Sequence, residues 1–237
     1  MNTPFRFKQF SIQQDKCAMK VGTDGVLLGA WTSLEDNPYA ILDIGAGTGL
    51  ISLMLAQRSQ ATIIDAIEID AEAYEQCVAN FEQSIWNDRL FCYHAGLDEF
   101  VDEIEDQYDL IVSNPPFYSE TVTSGNDARD MARMSFSLPF HELLASVAEL
   151  LHEEGTFAVI IPFKEEVKFS EIAARFQLFP KRITHVKGTL NSEFKRSLME
   201  FSFRHSSPLI SELTIEKGRH QYTEDYINLT KEFYLKM

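Results

Sequence analysis

The sequence predicts an α/β domain built on a mostly parallel, doubly wound sheet, with helices on both faces and an antiparallel hairpin towards the C-terminus. Three observations predict it. From about Tyr39, short apolar runs alternate with runs of helical periodicity. A glycine-rich turn joins the first apolar run to the first helical one. After Lys181 the pattern changes to two strand-like runs in succession. Strands that alternate with helices imply β-α-β units, and these build parallel sheets.

The elements follow in order. "YAILDIG" reads as a buried strand, and "TGLISLMLAQRS" as a helix spaced by Leu50, Leu53, Met54 and Leu55. "ATIIDAIEID" is the second strand. "AEAYEQCVANFEQS" is a helix, with Asp70 placed to cap it. "RLFCYHA" and "YDLIVSN" are the third and fourth strands. "LPFHELLASVAELLHEE" is an amphipathic helix that Gly155 closes; "TFAVIIP" is the fifth strand and "KEEVKFSEIAARFQ" a further helix. "KRITHVKGTL" and "KRSLMEFSFRH", joined by the polar "NSEF", form the hairpin. Ser119 to Ser137 lacks periodicity, and long irregular loops in compact domains are often functional lids.

The 237 residues are read as one domain, 1–237, with 1–38 an N-terminal extension and 39–237 the core. No stretch approaches the roughly 20 apolar residues of a membrane span, and the polar N-terminus has no signal-like apolar region. No membrane partner is expected. Cys17, Cys77 and Cys92 are few, odd in number and widely spaced, which fits a reducing cytoplasm and buried small side chains. Six histidines show no ligand spacing, so no metal is expected. The oligomeric state stays open, with a monomer favoured.

The formal net charge of −15 argues against nucleic-acid binding driven by overall charge. Its distribution is uneven. Residues 1–120 carry 6 basic and 20 acidic residues, and residues 121–237 carry 15 and 16. Between Lys181 and Arg219 stand 8 basic residues, Lys195 and Arg196 among them, against 4 acidic ones.

"LDIGAGTGL" places Gly45, Gly47 and Gly49 in a strand-to-helix turn. Glycine permits positive φ and lets backbone amides come close to a ligand. The spacing is neither the dinucleotide fingerprint nor a triphosphate-gripping loop, and no lysine follows. Glu68 ends the second strand about twenty residues on, where a carboxylate can accept hydrogen bonds from a ribose diol. Loop and acid together point to a nucleoside-bearing cofactor.

The run Asn114-Pro115-Pro116-Phe117 ends the fourth strand. Prolines stop the strand and stiffen it. An amine conjugated to a base or carbonyl is a poor nucleophile, because its lone pair is delocalised. Two acceptors that hold both of its hydrogens, the Asn114 amide oxygen and the Pro115 carbonyl, would favour a pyramidal nitrogen. They would be preorganised by the prolines. Phe117 can stack on a flipped-out planar base.

Asp43 to Gly49, Glu68 and Asn114 to Phe117 together resemble the class I S-adenosylmethionine-dependent methyltransferases, over roughly Ala40 to Arg204. The resemblance implies a Rossmann-like seven-stranded sheet and S-adenosyl-L-methionine as cofactor. It implies that Asp43, Gly45, Gly47 and Gly49 pass its methionine part and that Glu68 holds its ribose. It also implies an adenine contact among Gly96, Leu97 and Asp98. "MKVGTDGVLLGAW" (Met19 to Trp31) and "ARDMARMSFSLPFHELL" (Ala128 to Leu144) are similar to bacterial tRNA(Val) adenine-N6 methyltransferases, which modify adenine 37. That similarity implies tRNA as partner, Thr23 and Asp24 near the cofactor, and Arg129 and Arg133 near the substrate. Met134 stands where that family usually shows histidine. By itself the first of these segments is a turn before an apolar helix that Thr23 or Asp24 could cap.

Phosphate contacts are expected from the basic stretch, with Phe5, Arg6 and Lys8 as further candidates. Such contacts position RNA without reading its sequence. The alternatives are methylation of guanine N2 in ribosomal RNA or of a protein glutamine, and a non-catalytic cofactor- or RNA-binding module.

Overall fold

A computed structural model describes residues 3–17, 19–116 and 138–236. A short pair, β1 (Phe5–Arg6) and β2 (Ser11–Ile12), precedes α1 (Thr23–Trp31). Then come β3 (Ala40–Ile44), α2 (Leu50–Arg58), β4 (Ile63–Glu68), α3 (Ala71–Glu82), β5 (Leu90–His94), α4 (Leu97–Glu103) and β6 (Tyr108–Ser113). After residue 137 follow α5 (Phe140–Leu150), β7 (Leu151–Pro162), α6 (Glu166–Arg175), β8 (Phe179–Thr189) and β9 (Phe194–Ser202). The chain closes with β10 (Leu209–Gly218), β11 (Gln221–Tyr222) and α7 (Glu224–Thr230).

Among the described residues, nine strands make one sheet in the order β11-β10-β8-β9-β7-β6-β3-β4-β5. β5, β4, β3, β6 and β7 are mutually parallel, and β9 runs antiparallel between β7 and β8. The expected mostly parallel sheet and its β8–β9 hairpin are both present. The hairpin is not terminal, however. β10 adds to β8 in parallel and β11 folds back on β10, so the seven strands gain two at one edge.

Alternate residues of each strand feed two cores. Ile41, Leu110, Val112, Ala158 and Ile160 pack beneath α1, α2, α3 and α7, with Leu27, Leu53, Met54, Phe81 and Tyr226. Leu42, Ile44, Ile111, Phe157, Val159 and Ile161 pack on the other face against α4, α5 and α6, with Phe100, Leu143, Val147 and Phe169. Strands covered on both sides must be apolar nearly throughout, which is why they read as continuous runs.

Two boundaries differ from the expectation. The helix that Gly155 was expected to close ends at Leu150, and β7 begins at Leu151. Its register on β6 jumps from Tyr108↔Leu151 to Leu110↔Thr156, and Gly155 lies inside that irregularity. A Cβ there would stand 2.7 Å from the Leu151 side chain and 2.8 Å from the His152 carbonyl, so the residue is needed for a tight bend. The other boundary concerns residues 1–38. Phe7, Phe10, Ile12 and Gly25 to Trp31 are buried in the same core as α2 and α3. α1 crosses α2 closely: an ideal Cβ at Gly25 would be 3.1 Å from Leu50, and one at Gly29 would be 2.8 Å from the Met54 sulfur.

The C-terminal end of α1 is tied to the hairpin. Arg182 donates through Nε and Nη2 to both oxygens of the buried Glu200 at 2.9 and 2.7 Å, and through Nη2 to the Trp31 carbonyl at 2.8 Å. Its guanidinium lies 3.8 Å from the Trp31 ring centroid. The Ser33 amide donates to Glu200 Oε1 at 2.8 Å. Replacing Glu200 by alanine strips the arginine and the Ser33 amide of their acceptor at once. Glu200→Ala is expected to lower stability in urea titrations by about 3 kcal/mol, the low end for breaking a buried pair.

Candidate functional site

The glycine turn leaves β3 at the carboxyl edge of the sheet. Gly45, Gly47 and Gly49 have φ of +73°, +56° and +75°, the left-handed region that favours glycine. They do different work. A Cβ on Gly45 or Gly47 would meet nothing within 4 Å, whereas one on Gly49 would stand 2.5 Å from Phe81 and 2.8 Å from the Cys77 sulfur. The first two border open space and the third is a packing residue.

The turn is held from β4. The Gly45 and Ala46 amides donate to the Ile67 carbonyl at 3.0 and 3.1 Å. Glu68 is half-buried; its Oε2 accepts from the Gly47 amide at 2.8 Å, and its Oε1 from the Asp70 amide at 2.9 Å. A carboxylate has about four acceptor positions, so each oxygen can take a further donor. Asp70 caps α3 as expected, accepting from the Ala73 amide at 2.8 Å.

Asp43 sits near the end of β3, fully buried. Its Oδ2 accepts from the Ser52 amide at 3.1 Å and hydroxyl at 2.7 Å. Its Oδ1 is buried and has no hydrogen-bond partner among the described residues. Burial pushes its carboxyl up to about 6, and the Ser52 hydrogen bonds oppose that shift. At neutral pH the group is mainly ionised, with one oxygen held ready for a cationic or donor group. Open space at Gly45 and Gly47, spare acceptor capacity on Glu68 and an orphaned oxygen on Asp43 together fit a cofactor with a positively charged end and a ribose.

His94 of β5 registers with Glu68, and Gly96 begins α4 next to them. The Leu97 side chain packs into the core shared with Phe100 and Val147, while its amide opens the helix. Beside them is a residue that sequence reasoning missed. Ile69 is 55% exposed, and its Cδ1 would lie 3.8 Å from a Cβ at Gly96. Its signal was an apolar residue directly after the strand-ending acid.

Asn114 and Pro115 leave the adjacent strand. Ser113 registers with Ile44 and donates to its carbonyl at 2.9 Å, which sets Asn114 across from Gly45. Asn114 is half-buried and Pro115 buried. Phe117, Arg129 and Arg133, with the whole irregular stretch from Ser119 to Ser137, lie outside the described residues.

Thr23 and Asp24 open α1, and the Gly25–Leu50 contact sets that turn over the start of α2. Neither caps the helix: Gly22 is the N-cap, without a side-chain hydrogen bond. Asp24 Oδ2 instead accepts from Arg196 Nε at 2.7 Å. The two were expected to meet different ligands and are here one ion pair.

The topology divides the basic stretch. Lys181 and Arg182 begin β8 and Arg204 follows β9, all at the amino edge of the sheet, where Arg182 is held by Glu200 and Arg204 by Glu154. Lys187 pairs with Glu212 at 3.2 Å. Lys195, Lys217 and Arg219 are exposed and lie at the carboxyl edge with the glycine turn. Phe5 packs against Phe7, 4.8 Å between ring centroids, and Lys8 donates to the Lys231 carbonyl, so these belong to the N-terminal packing.

Comparison with known proteins gives consistent results. Residues 26–178 match the methyltransferase small domain family. The chain is 62% identical over 234 residues to the tRNA1(Val) (adenine(37)-N6)-methyltransferase of Flavobacterium johnsoniae, covering 98% of this chain and 100% of that one. It is 47% identical over 236 residues to the protein of the same name from Phocaeicola vulgatus, covering 100% and 99%. Among solved structures, a predicted O-methyltransferase from Agrobacterium tumefaciens superposes with a TM-score of 0.66 at 17% identity, over 89% of this chain and 96% of that one. A ribosomal protein L11 methylase from Lactobacillus delbrueckii gives 0.53 at 15% identity, over 76% and 77%. These two likenesses are of fold.

The different surroundings of the glycines predict different costs. Gly49→Ala is expected to lose about 2–4 kcal/mol in urea unfolding, from the left-handed backbone and the overpacking against Phe81 and Cys77. Gly47→Ala is expected to lose only the backbone part, about 1–2 kcal/mol.

Proposed function

The chain belongs to the methyltransferase small domain family, and on that premise we propose that it transfers a methyl group from S-adenosylmethionine to N6 of adenine 37 in tRNA1(Val). Relatives that match it end to end carry that activity in their names. The observation that carries the reading is the adjacency of two edges. An acceptor-rich Asn114-Pro115 end sits across from an open glycine turn, on neighbouring parallel strands.

S-adenosylmethionine supplies a methyl group on a sulfonium, electrophilic without further activation. The chain's own residues bind and aim. Glu68 accepts from the ribose hydroxyls, the Gly45 and Gly47 backbone lies along the methionine part, and the Asp43 carboxylate faces positive charge. Ile69 and Gly96 flank the adenine of the cofactor, and Thr23 and Asp24 close the crevice from α1. Asn114 Oδ1 and the Pro115 carbonyl accept the two N6 hydrogens. Held there, N6 would have its lone pair free towards the sulfonium methyl that bound S-adenosylmethionine would supply, and the methyl would pass to N6 with the electrons of its bond to sulfur left on sulfur. The alkylated nitrogen is acidic and loses its proton to an acceptor of ordinary strength. Phe117 stacks on the flipped base. Arg129, Arg133, Lys195 and Arg196 contact the RNA, with Arg196 also pinned to Asp24.

The test is methyl transfer from labelled S-adenosylmethionine to unmodified tRNA, ribosomal RNA and protein, followed by digestion to nucleosides. Label in N6-methyladenosine at position 37 is expected; label in N2-methylguanosine or in protein would overturn the substrate. Asn114→Ala should lower turnover by about 100-fold, the scale of losing one preorganised polar group, while S-adenosylhomocysteine still binds.

Asp43 adds a pH dependence. Its carboxylate form prevails above about 6, so protonation below that value removes the charge that faces the ligand. S-adenosylhomocysteine affinity, measured by calorimetry, should weaken as pH falls through 6, by up to about tenfold per unit. Asp43→Asn should bind weakly and without that slope.

A further inference from the structure

Asn80 lies on the inward face of α3, 1% exposed, at a position where an amphipathic helix would ordinarily place an apolar side chain. A buried amide is costly unless fully bonded, and asparagine is a poor helix former. Here it is fully used. Its Nδ2 donates to the Thr48 carbonyl at 2.9 Å and to the Gln13 carbonyl at 3.0 Å, and its Oδ1 accepts from the Gln13 amide at 2.8 Å. Thr48 stands between Gly47 and Gly49 in the glycine turn. Gln13 belongs to the strand-like N-terminal strap that runs over α3. A residue that breaks the local pattern and joins two distant backbone segments marks a functional constraint.

One turn earlier on α3, Gln76 grips the same strap. Its Oε1 accepts from the Asp15 and Lys16 amides, each at 3.2 Å. The strap then carries Cys17, buried, with its thiol pushed up to about 12 by burial and by the nearby Glu68, Asp70 and Asp15 carboxylates. It returns to α1, where the Val21 amide donates to Gln14 Oε1 at 2.9 Å. Residues 13–17 thus run from the glycine turn past the Glu68 side of the crevice, and residues 19–22 lead into the helix that carries Thr23 and Asp24. Gln76 holds the strap alone. Asn80 holds the strap and the turn together.

We propose that Asn80 is a positioning residue for cofactor binding: it couples the glycine turn to the N-terminal strap, so that cofactor bound at the turn tightens the strap and a docked strap tightens the cofactor. The inference rests on the S-adenosylmethionine reading above. Coupling of this kind is reciprocal by linkage.

Cys17 reports on the strap. In a Cys92→Ser background, with Cys77 buried, the rate of Cys17 modification by a thiol reagent is measured with and without S-adenosylhomocysteine, alongside calorimetric affinity. The parent protein should react slowly, and more slowly with ligand. Gln76→Ala should react faster but keep the ligand's protective effect, because Asn80 still joins strap and turn, and its affinity should fall less than that of Asn80→Ala. Asn80→Ala should react faster, lose the ligand's protective effect and bind about tenfold more weakly, within the usual range of coupling energies. Parent affinity and ligand protection in Asn80→Ala would overturn the proposal. Should that variant not fold, hydrogen exchange of the parent decides: slowing of the Gln13 amide by S-adenosylhomocysteine supports the coupling, and no change refutes it. A parent protein that binds no S-adenosylhomocysteine would instead overturn the cofactor reading itself.

Discussion

The position of β3 in the sheet governs everything else. It lies between β4 and β6, and the chain returns from its two sides over opposite faces. α2 and α3 cover one face, and α4, α5 and α6 the other. The helices that follow β3 and β6, α2 and α5, therefore lie on opposite faces, and the carboxyl edge between these two strands is the place of the crevice in which open α/β sheets bind ligands. The glycine turn borders that crevice because it is the β3 connection. Asn114 stands beside it as the first residue after β6. Glu68 reaches it from β4 by accepting the Gly47 amide. No loop has to travel to bring these groups together; strand order alone does it.

The second wall of the crevice comes from residues ahead of β3. Gly25 and Gly29 let α1 lie against Leu50 and Met54 at distances no side chain would permit. Its first turn is held to β9 by the Asp24–Arg196 pair, and its last turn by Trp31, Arg182 and Glu200. Two of the late basic residues, Arg182 and Arg196, therefore anchor α1. Arg196 answers a carboxylate of the first half, Asp24, whereas Arg182 and Arg204 pair within the second half, with Glu200 and Glu154.

The parallel core and the glycine turn were legible because their signals are local. Strands buried on both faces are apolar runs, and a turn at positive φ needs glycine. Other features depend on distant partners. β10 begins with the exposed Leu209 and Ile210 and shows no alternation, so only its pairing with β8 reveals it as a strand. α4 is seven residues long with few buried side chains. Gly155 resembled a helix stop because glycine serves bends and caps alike. Asn80 has no local signal, since nothing in its neighbourhood names Gln13 or Thr48. The N-terminal residues looked appended because their core neighbours, Phe233 and Tyr234, stand at the other end of the chain.

The groups that border the crevice share one chemical property. Asp43 offers a buried oxygen without a donor, Glu68 offers spare lone pairs, and Asn114 and Pro115 bring carbonyl oxygens. Prolines 115 and 116 have no N–H at all. Such a surface is poorly suited to phosphate or to a developing oxyanion, both of which need donors. It suits ligands rich in hydrogens and positive charge: an ammonium, a ribose diol, a sulfonium and a two-hydrogen amine. The same property explains why the turn carries glycines without a following lysine. The positive side chains exposed at the same edge, Lys195, Lys217 and Arg219, lie on or next to the strands beyond β7, away from these acceptors.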